Sequence, residues 1–173
     1  MRRMISAIVI AALAVSLSGC GAGNNASTRQ VKQVTDGVEG SITKDGNNIK
    51  IRNLLVVAAP GGNAVLVGTI INNGEQEDAL LGIAINGTAT TYTGNNALPT
   101  NTPIIFEGDS ANAKAVLAGF GGSAGSNVKV GLFFAKAGII TLNAIVRQAR
   151  EEYAGITAAV DVPMATPSPT ATK

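Results

Sequence analysis

Histidine does not occur in this 173-residue chain, and cysteine occurs once, at Cys20. Those two facts remove most of the usual side-chain chemistry. A Ser-His-Asp or Cys-His nucleophile needs an imidazole to take the proton. A metal site of the imidazole type needs the same group. A lone thiol makes no disulfide within one chain. What remains is oxygen donors and cations. Glu75, Glu77 and Asp78 put three carboxylates within four positions, hard ligands of the kind Ca²⁺ takes. Their spacing matches no calcium loop, and a solvated turn between two strands accounts for them. Phe120-Gly121-Gly122-Ser123-Ala124-Gly125-Ser126 holds three glycines. A phosphate-cradling loop follows its glycines with Lys and Ser/Thr at a helix start. This loop has no lysine and runs into a strand pattern, so it reads as an inter-strand connection. Arg150-Glu151-Glu152-Tyr153 is a charged patch that reads as a solvated helical turn. Nothing places two carboxylates together for hydrolysis. The expectation is a non-enzymatic chain with no cofactor, no metal site and no catalytic residue.

Cys20 has a different context. Arg2 and Arg3 precede an apolar run from Ile5 to Val15, and Leu17-Ser18-Gly19 leads into the cysteine. A basic start, a short apolar core and small residues before a cleavage point make a secretory signal peptide. The apolar run is about half the ~20 residues that a membrane-spanning helix needs. The ending Leu17-Ser18-Gly19-Cys20 resembles a bacterial lipobox. That resemblance implies a diacylglyceryl group on the Cys20 sulfur, cleavage before it, and a mature chain that begins with the lipidated residue. The implied location is the extracytoplasmic side of the cell membrane, held there by lipid. Two or more acyl chains anchor stably where one is marginal.

Removing the leader also changes the charge. The chain has 13 Lys+Arg and 11 Asp+Glu, and Arg2 and Arg3 account for the whole excess. The remainder is balanced, so no electrostatic footprint for nucleic acid is left. Aromatic residues are 3% of the chain, too few for a base-stacking platform. No nucleic-acid partner is expected. The expected partners are the membrane, through the lipid on Cys20, and an unidentified envelope protein.

The elements that would position any site are strands. Residues 1–19 form the leader and residues 20–30 a polar tether rich in Gly, Asn, Ser and Thr. Residues 31–147 form the folded domain, and residues 148–173 a tail rich in Pro, Thr and Ala. Within the domain, Val38–Thr43 reads as a short edge strand. Ile49–Val57, Val65–Ile71, Leu80–Ile85, Ile104–Phe106 and Ala113–Ala118 follow as short apolar or alternating runs between turn residues. Thr88–Tyr92 answers Leu80–Ile85 across Asn86-Gly87, a favoured two-residue hairpin turn. Val128, Val130, Leu132 and Phe134 line one face of a late strand. Ile140, Leu142, Ala144 and Val146 line one face of the last, after the Ala137-Gly138 turn. About seven or eight strands at this spacing predict an all-β antiparallel β-sandwich, immunoglobulin-like or cupredoxin-like. With 46% hydrophobic residues, a core without disulfides is feasible.

Two stretches resemble the PCu(A)C copper chaperones and related actinobacterial envelope lipoproteins. One is Ile70-Ile71-Asn72-Asn73-Gly74-Glu75-Gln76-Glu77-Asp78-Ala79-Leu80-Leu81-Gly82, similar to that family's strand, Asn-Gly turn, acidic loop and Leu-Leu-Gly strand. The other is Val128 through Val146, with Phe134-Ala135-Lys136-Ala137-Gly138 at its centre. The resemblance covers about residues 49–147 and implies a cupredoxin-like or immunoglobulin-like β-sandwich. It also implies Cu(I) held by two pairs of His and Met, and those residues do not carry over. Aligned on Gly119, the second pair falls on Lys114 and Val116. The first falls near Thr90 to Thr93. The reading that results is a lipid-anchored binding or accessory module. The alternative is a metal or small-ligand carrier.

Overall fold

The computed structural model describes residues 36–159, and among them there is no α-helix. The strands are β1 (Val38–Ile42), β2 (Ile49–Ala59), β3 (Asn63–Asn72), β4 (Asp78–Ile85), β5 (Thr88–Ala89), β6 (Thr91–Gly94), β7 (Ala97–Leu98), β8 (Ile104–Phe106), β9 (Ala113–Leu117), β10 (Asn127–Phe134) and β11 (Ile139–Gln148). They form one sheet in the order β5-β4-β10-β11-β2-β3-β8-β9-β6, with β1 on β2, β7 on β4 and a further pairing of β9 with β3.

Two stretches of chain turn the corners of this sheet. The first seven residues of β11 pair antiparallel with β10. Its last three, Val146–Gln148, run parallel to Val56–Ala58 of β2. At the other corner Thr90 alone separates β5, which pairs with β4, from β6, which pairs with β9. The Thr90 amide and hydroxyl both donate to the Ile83 carbonyl, at 3.0 and 3.2 Å. The two ends of the strand order are thus neighbours in the chain, and the sheet is nearly closed, like a barrel.

This corrects the expected antiparallel sandwich of seven or eight strands. The sheet has eleven strands and is mixed, with β11–β2 and β8–β9 parallel. Side-chain alternation records which face of a strand is buried; it carries no information on partner or direction. β5 and β7 have two residues each, too short for alternation to show. The local turn reading agrees with the structure: β4 and β5 join through Asn86 and Gly87 at φ of 49° and 84°, the positive pair a type I′ turn requires.

Inward-facing residues of all the long strands meet in one core, including Ile51, Leu66, Ile70, Ile83, Phe106, Val130, Leu132 and Val146. The β10 face read from sequence (Val128, Val130, Leu132 and Phe134) is buried throughout. On β11, Ala144 and Val146 are buried while Leu142 is half-buried. Its side chain lies against Gly40 of β1, where a Cβ would come within 2.8 Å of both Leu142 methyl groups.

β2 serves two cores because it carries a bulge. Arg52 pairs with Thr69 and Leu55 with Val67, so β2 spends one residue more than β3 over this interval. Inward positions shift from Ile49 and Ile51 to Leu54 and Val56. Leu55 and Val57 then face outward, into a second cluster with Ala59, Val65, Val116 and Ile156. Gly68, at φ of 145°, admits the bulge: a Cβ there would sit 3.1 Å from the Arg52 carbonyl oxygen and the Leu54 Cα. A 3₁₀ turn at Glu151–Tyr153 brings Ile156 and Ala158 onto this outer face. The first residues of the stretch assigned to the tail therefore pack on the sheet.

Candidate functional site

The two stretches that the family resemblance aligns with metal ligands lie side by side. β6 and β9 are antiparallel neighbours, with Thr93 opposite Lys114 and Thr91 opposite Val116. Alternation sets the faces. Between these pairs, Tyr92 and Ala115 point into the main core, and the Tyr92 ring meets Phe106 edge-on at 6.2 Å. Thr91, Thr93, Lys114 and Val116 therefore share the outward face.

Lys114 is committed on that face. Its Nζ lies 3.3 Å from Glu107 Oε1, and the two side chains are only 22% and 17% exposed. Glu107 follows β8 at φ of 71° and Gly108 follows at 100°. A non-glycine residue in the left-handed region is uncommon, and here it turns the carboxylate back toward β9. Val116 is buried in the outer cluster beside Val65 and Ile156. The Tyr92 hydroxyl donates to the Asn95 carbonyl at 2.8 Å, and burial raises its pKa above the usual tyrosine value. The donors available are two hydroxyls and one carboxylate already paired with an ammonium. An ammonium has no lone pair to offer, and Cu(I) favours thiolate, thioether and imidazole. This donor set does not fit Cu(I).

The described chain superposes on the apo PCuAC domain from PmoF1 with a TM-score of 0.53 at 22% identity, covering 64% of this chain and 99% of that domain. The copper-bound PCuAC domain from PmoF2 gives 0.53 at 21%, covering 64% and 98%. The chain shares the fold of these PCuAC domains. The apo PCuAC domain from PmoF2 matches it at a TM-score of 0.51 and 19% identity. No family model matches the sequence, and no curated protein does.

On this PCuAC fold the other sequence candidates separate. Glu75, Glu77 and Asp78 do not converge. Asp78 is 7% exposed and its oxygens accept from the backbone amides of Ala79, Lys136 and Ala137 at 2.7, 2.8 and 2.9 Å. It clamps the β10–β11 turn, while Glu75 and Glu77 are exposed. Among the described residues no group of three or more Cys, Asp or Glu side chains is arranged to hold a metal ion. The glycine-rich loop connects β9 to β10 and is tied down by Gly125 N to Val146 O at 2.8 Å. The Arg150–Tyr153 patch borders an open groove of about 540 Å³, where Arg147 pairs with Asp36 at 2.8 Å. Tyr153 leans on the same Asp36; burial first, then that carboxylate's charge, raises its pKa. Cys20 and the lipobox residues Leu17, Ser18 and Gly19 lie outside the described residues.

Sequence reasoning misses Glu107. It is a single carboxylate in a loop, 7 residues from the lysine it meets, and only the β8–β9 connection brings them together. Asn72 reads in the sequence only as part of a turn. It is 1% exposed, and its side chain donates to the carbonyls of Gln76 and Leu98 and accepts from the Gly74 amide. That makes it the knot joining the acidic loop to β7.

Proposed function

We propose that this chain is a lipid-anchored, extracytoplasmic binding module built on the PCuAC fold, non-enzymatic, and not a carrier of Cu(I). The observation that carries the reading is the β6–β9 pair. It sets the two aligned stretches next to each other in register, with Thr91, Thr93, Lys114 and Val116 at the positions in question. A frame kept with its soft donors replaced by hydroxyls and an ion pair suits recognition of another molecule better than transfer of a soft ion. The lipobox supports the location, and the balanced charge supports a protein partner over nucleic acid. The fold likeness to a copper-bound domain favours a second reading, a carrier of a different metal or of a small ligand.

Two measurements test the proposal. Cys20→Ala should leave the membrane fraction and escape signal peptidase II processing; unchanged fractionation and processing would defeat the anchor. The wild-type chain should lose Cu(I) completely to a strong chelator in a competition titration, and stoichiometric retention would defeat the rest.

A further inference from the structure

The face of the barrel formed by β4, β10 and β11 carries an apolar row with no partner among the described residues. Leu81 is 66% exposed and Ile139 is 65% exposed. Between them sits Phe133, half-buried, which pairs with Ile139 on one side and with Gly82 on the other. Three adjacent strands thus present a Leu, a Phe and an Ile at one level. Leu81 is there because of a bulge. Phe133 opposes Gly82 while Phe134 opposes Leu80, which leaves Leu81 as the extra residue on β4. Bulges re-aim side chains, and this one turns a leucine out of a strand whose neighbours Leu80 and Ile83 are buried. Toward β5, Ala84 and Gly131 stand opposite each other, and the Phe133 ring lies over Gly131. Lys129 lies on the same face of β10, and Lys136 lies at the tip of the β10–β11 turn. Both are exposed, and neither forms an ion pair among the described residues. Glu77 shares a shallow groove with Lys136.

We propose that this face rests on the bilayer to which Cys20 tethers the domain, with Leu81, Phe133 and Ile139 at the acyl boundary and Lys129 and Lys136 among the headgroups. Apolar side chains flanked by lysines are the composition that lies in a membrane interface. The reach of the chain is compatible. Asp36 follows Cys20 by sixteen positions, a length that spans at most about 58 Å. Asp36 is held by Arg147 near one end of β11, and Ile139 begins that strand, about 27 Å away at strand spacing. Tether and apolar row can therefore touch one plane together, with the barrel on its side. That pose leaves the opposite face, with β6, β9, Glu107 and Lys114, turned to solvent and open to a partner.

The proposal rests on the lipoprotein reading, and the test separates the two. Cys20 is the only native cysteine and lipidation consumes it. A Leu81→Cys variant of the full lipidated chain then has one free thiol for an environment-sensitive fluorophore. Ile139→Cys gives a second position on the row, and Asp109→Cys, in the exposed β8–β9 connection, a control on the other side. In vesicles of phosphatidylcholine and phosphatidylglycerol, brominated phosphatidylcholine should quench the labels at 81 and 139 at least twofold more than the label at 109. Equal quenching at all three positions overturns the proposal. So does an unlabelled Leu81→Cys chain that forms disulfide-linked pairs in place of lipid contact, which would make the face a contact between copies. If the chain floats with the vesicles and the label at 81 stays unquenched, only this inference falls. If it does not float, the anchor reading falls and this one with it.

Discussion

A single carboxylate shows how far residue type alone can mislead. In the sequence Asp78 belongs with Glu75 and Glu77, and the three read as one solvated acidic turn. The structure sets Asp78 apart, because its two oxygens hold the amides of Lys136 and Ala137, which lie 58 and 59 positions away. Nothing local distinguishes it from its neighbours, because the donors arrive from another hairpin. Removing it strands those amides where the acceptor was charged. Hydrogen bonds to charged groups are worth about 1.5–3 kcal/mol each, so Asp78→Ala should lower unfolding free energy by about 2 kcal/mol or more. Glu77→Ala, at an exposed position, should stay within about 0.5 kcal/mol of wild type. Denaturant midpoints of the two variants check this, and a neutral Asp78→Ala would show that the clamp contributes nothing. Glu107 makes the same point at the candidate site. Lys114 can be picked out by alignment, but its partner is invisible until β8 and β9 are in place.

At the scale of elements the sequence is most legible where alternation is long. β2, β3, β4 and β10 are marked by apolar or alternating runs, and their burial follows. The β10–β11 hairpin gives the sharpest check, since a slip of one residue exchanges the two faces. Leu132 is fully buried between Ile140 and Ile83 of its neighbouring strands, and Lys129 faces out. Leu132→Ala should cost about 2–5 kcal/mol, as buried leucine truncations do, and Lys129→Ala close to nothing. Equal unfolding curves for the two would mean the register is wrong. What alternation does not encode is the change of partner within a strand. β11 leaves β10 after Ile145 and joins β2 in the opposite sense, and β2 itself changes faces at its Asn53 bulge. The first depends on which edge the closing strand meets. The second depends on glycines at 37 and 68, where a Cβ would collide with or crowd residues 52–54. Neither cause lies within the strand being read.

The described residues form two apolar clusters where the sequence suggests one. Counting hydrophobic residues gives the feasibility of a core and says nothing of its division. The outer cluster exists because the β2 bulge sends Leu55 and Val57 to the far side, where Val65 and Val116 meet them and Ile156 closes over the group at 9% exposure. Prolines and threonines downstream make the end of the chain read as a tail from residue 148, yet the stretch between Ala149 and Ala158 packs against the sheet. A chain stopped after Gln148 would leave Leu55, Val57, Ala59, Val65 and Val116 without the cover of Ile156 on one face of the sheet. It should unfold at lower denaturant concentration than the full chain and bind more of a hydrophobic dye than the full chain does. The point variant Ile156→Ala isolates the cover from the rest of the deletion. It should cost at least about 2 kcal/mol, the lower end for truncating a buried isoleucine, because its neighbours stay on a rigid sheet and cannot close the gap. Equal stability of the full chain, the shortened chain and the point variant would return residues 149–159 to the tail. The strand face that carries Val116 would then be open to an external partner along its whole length.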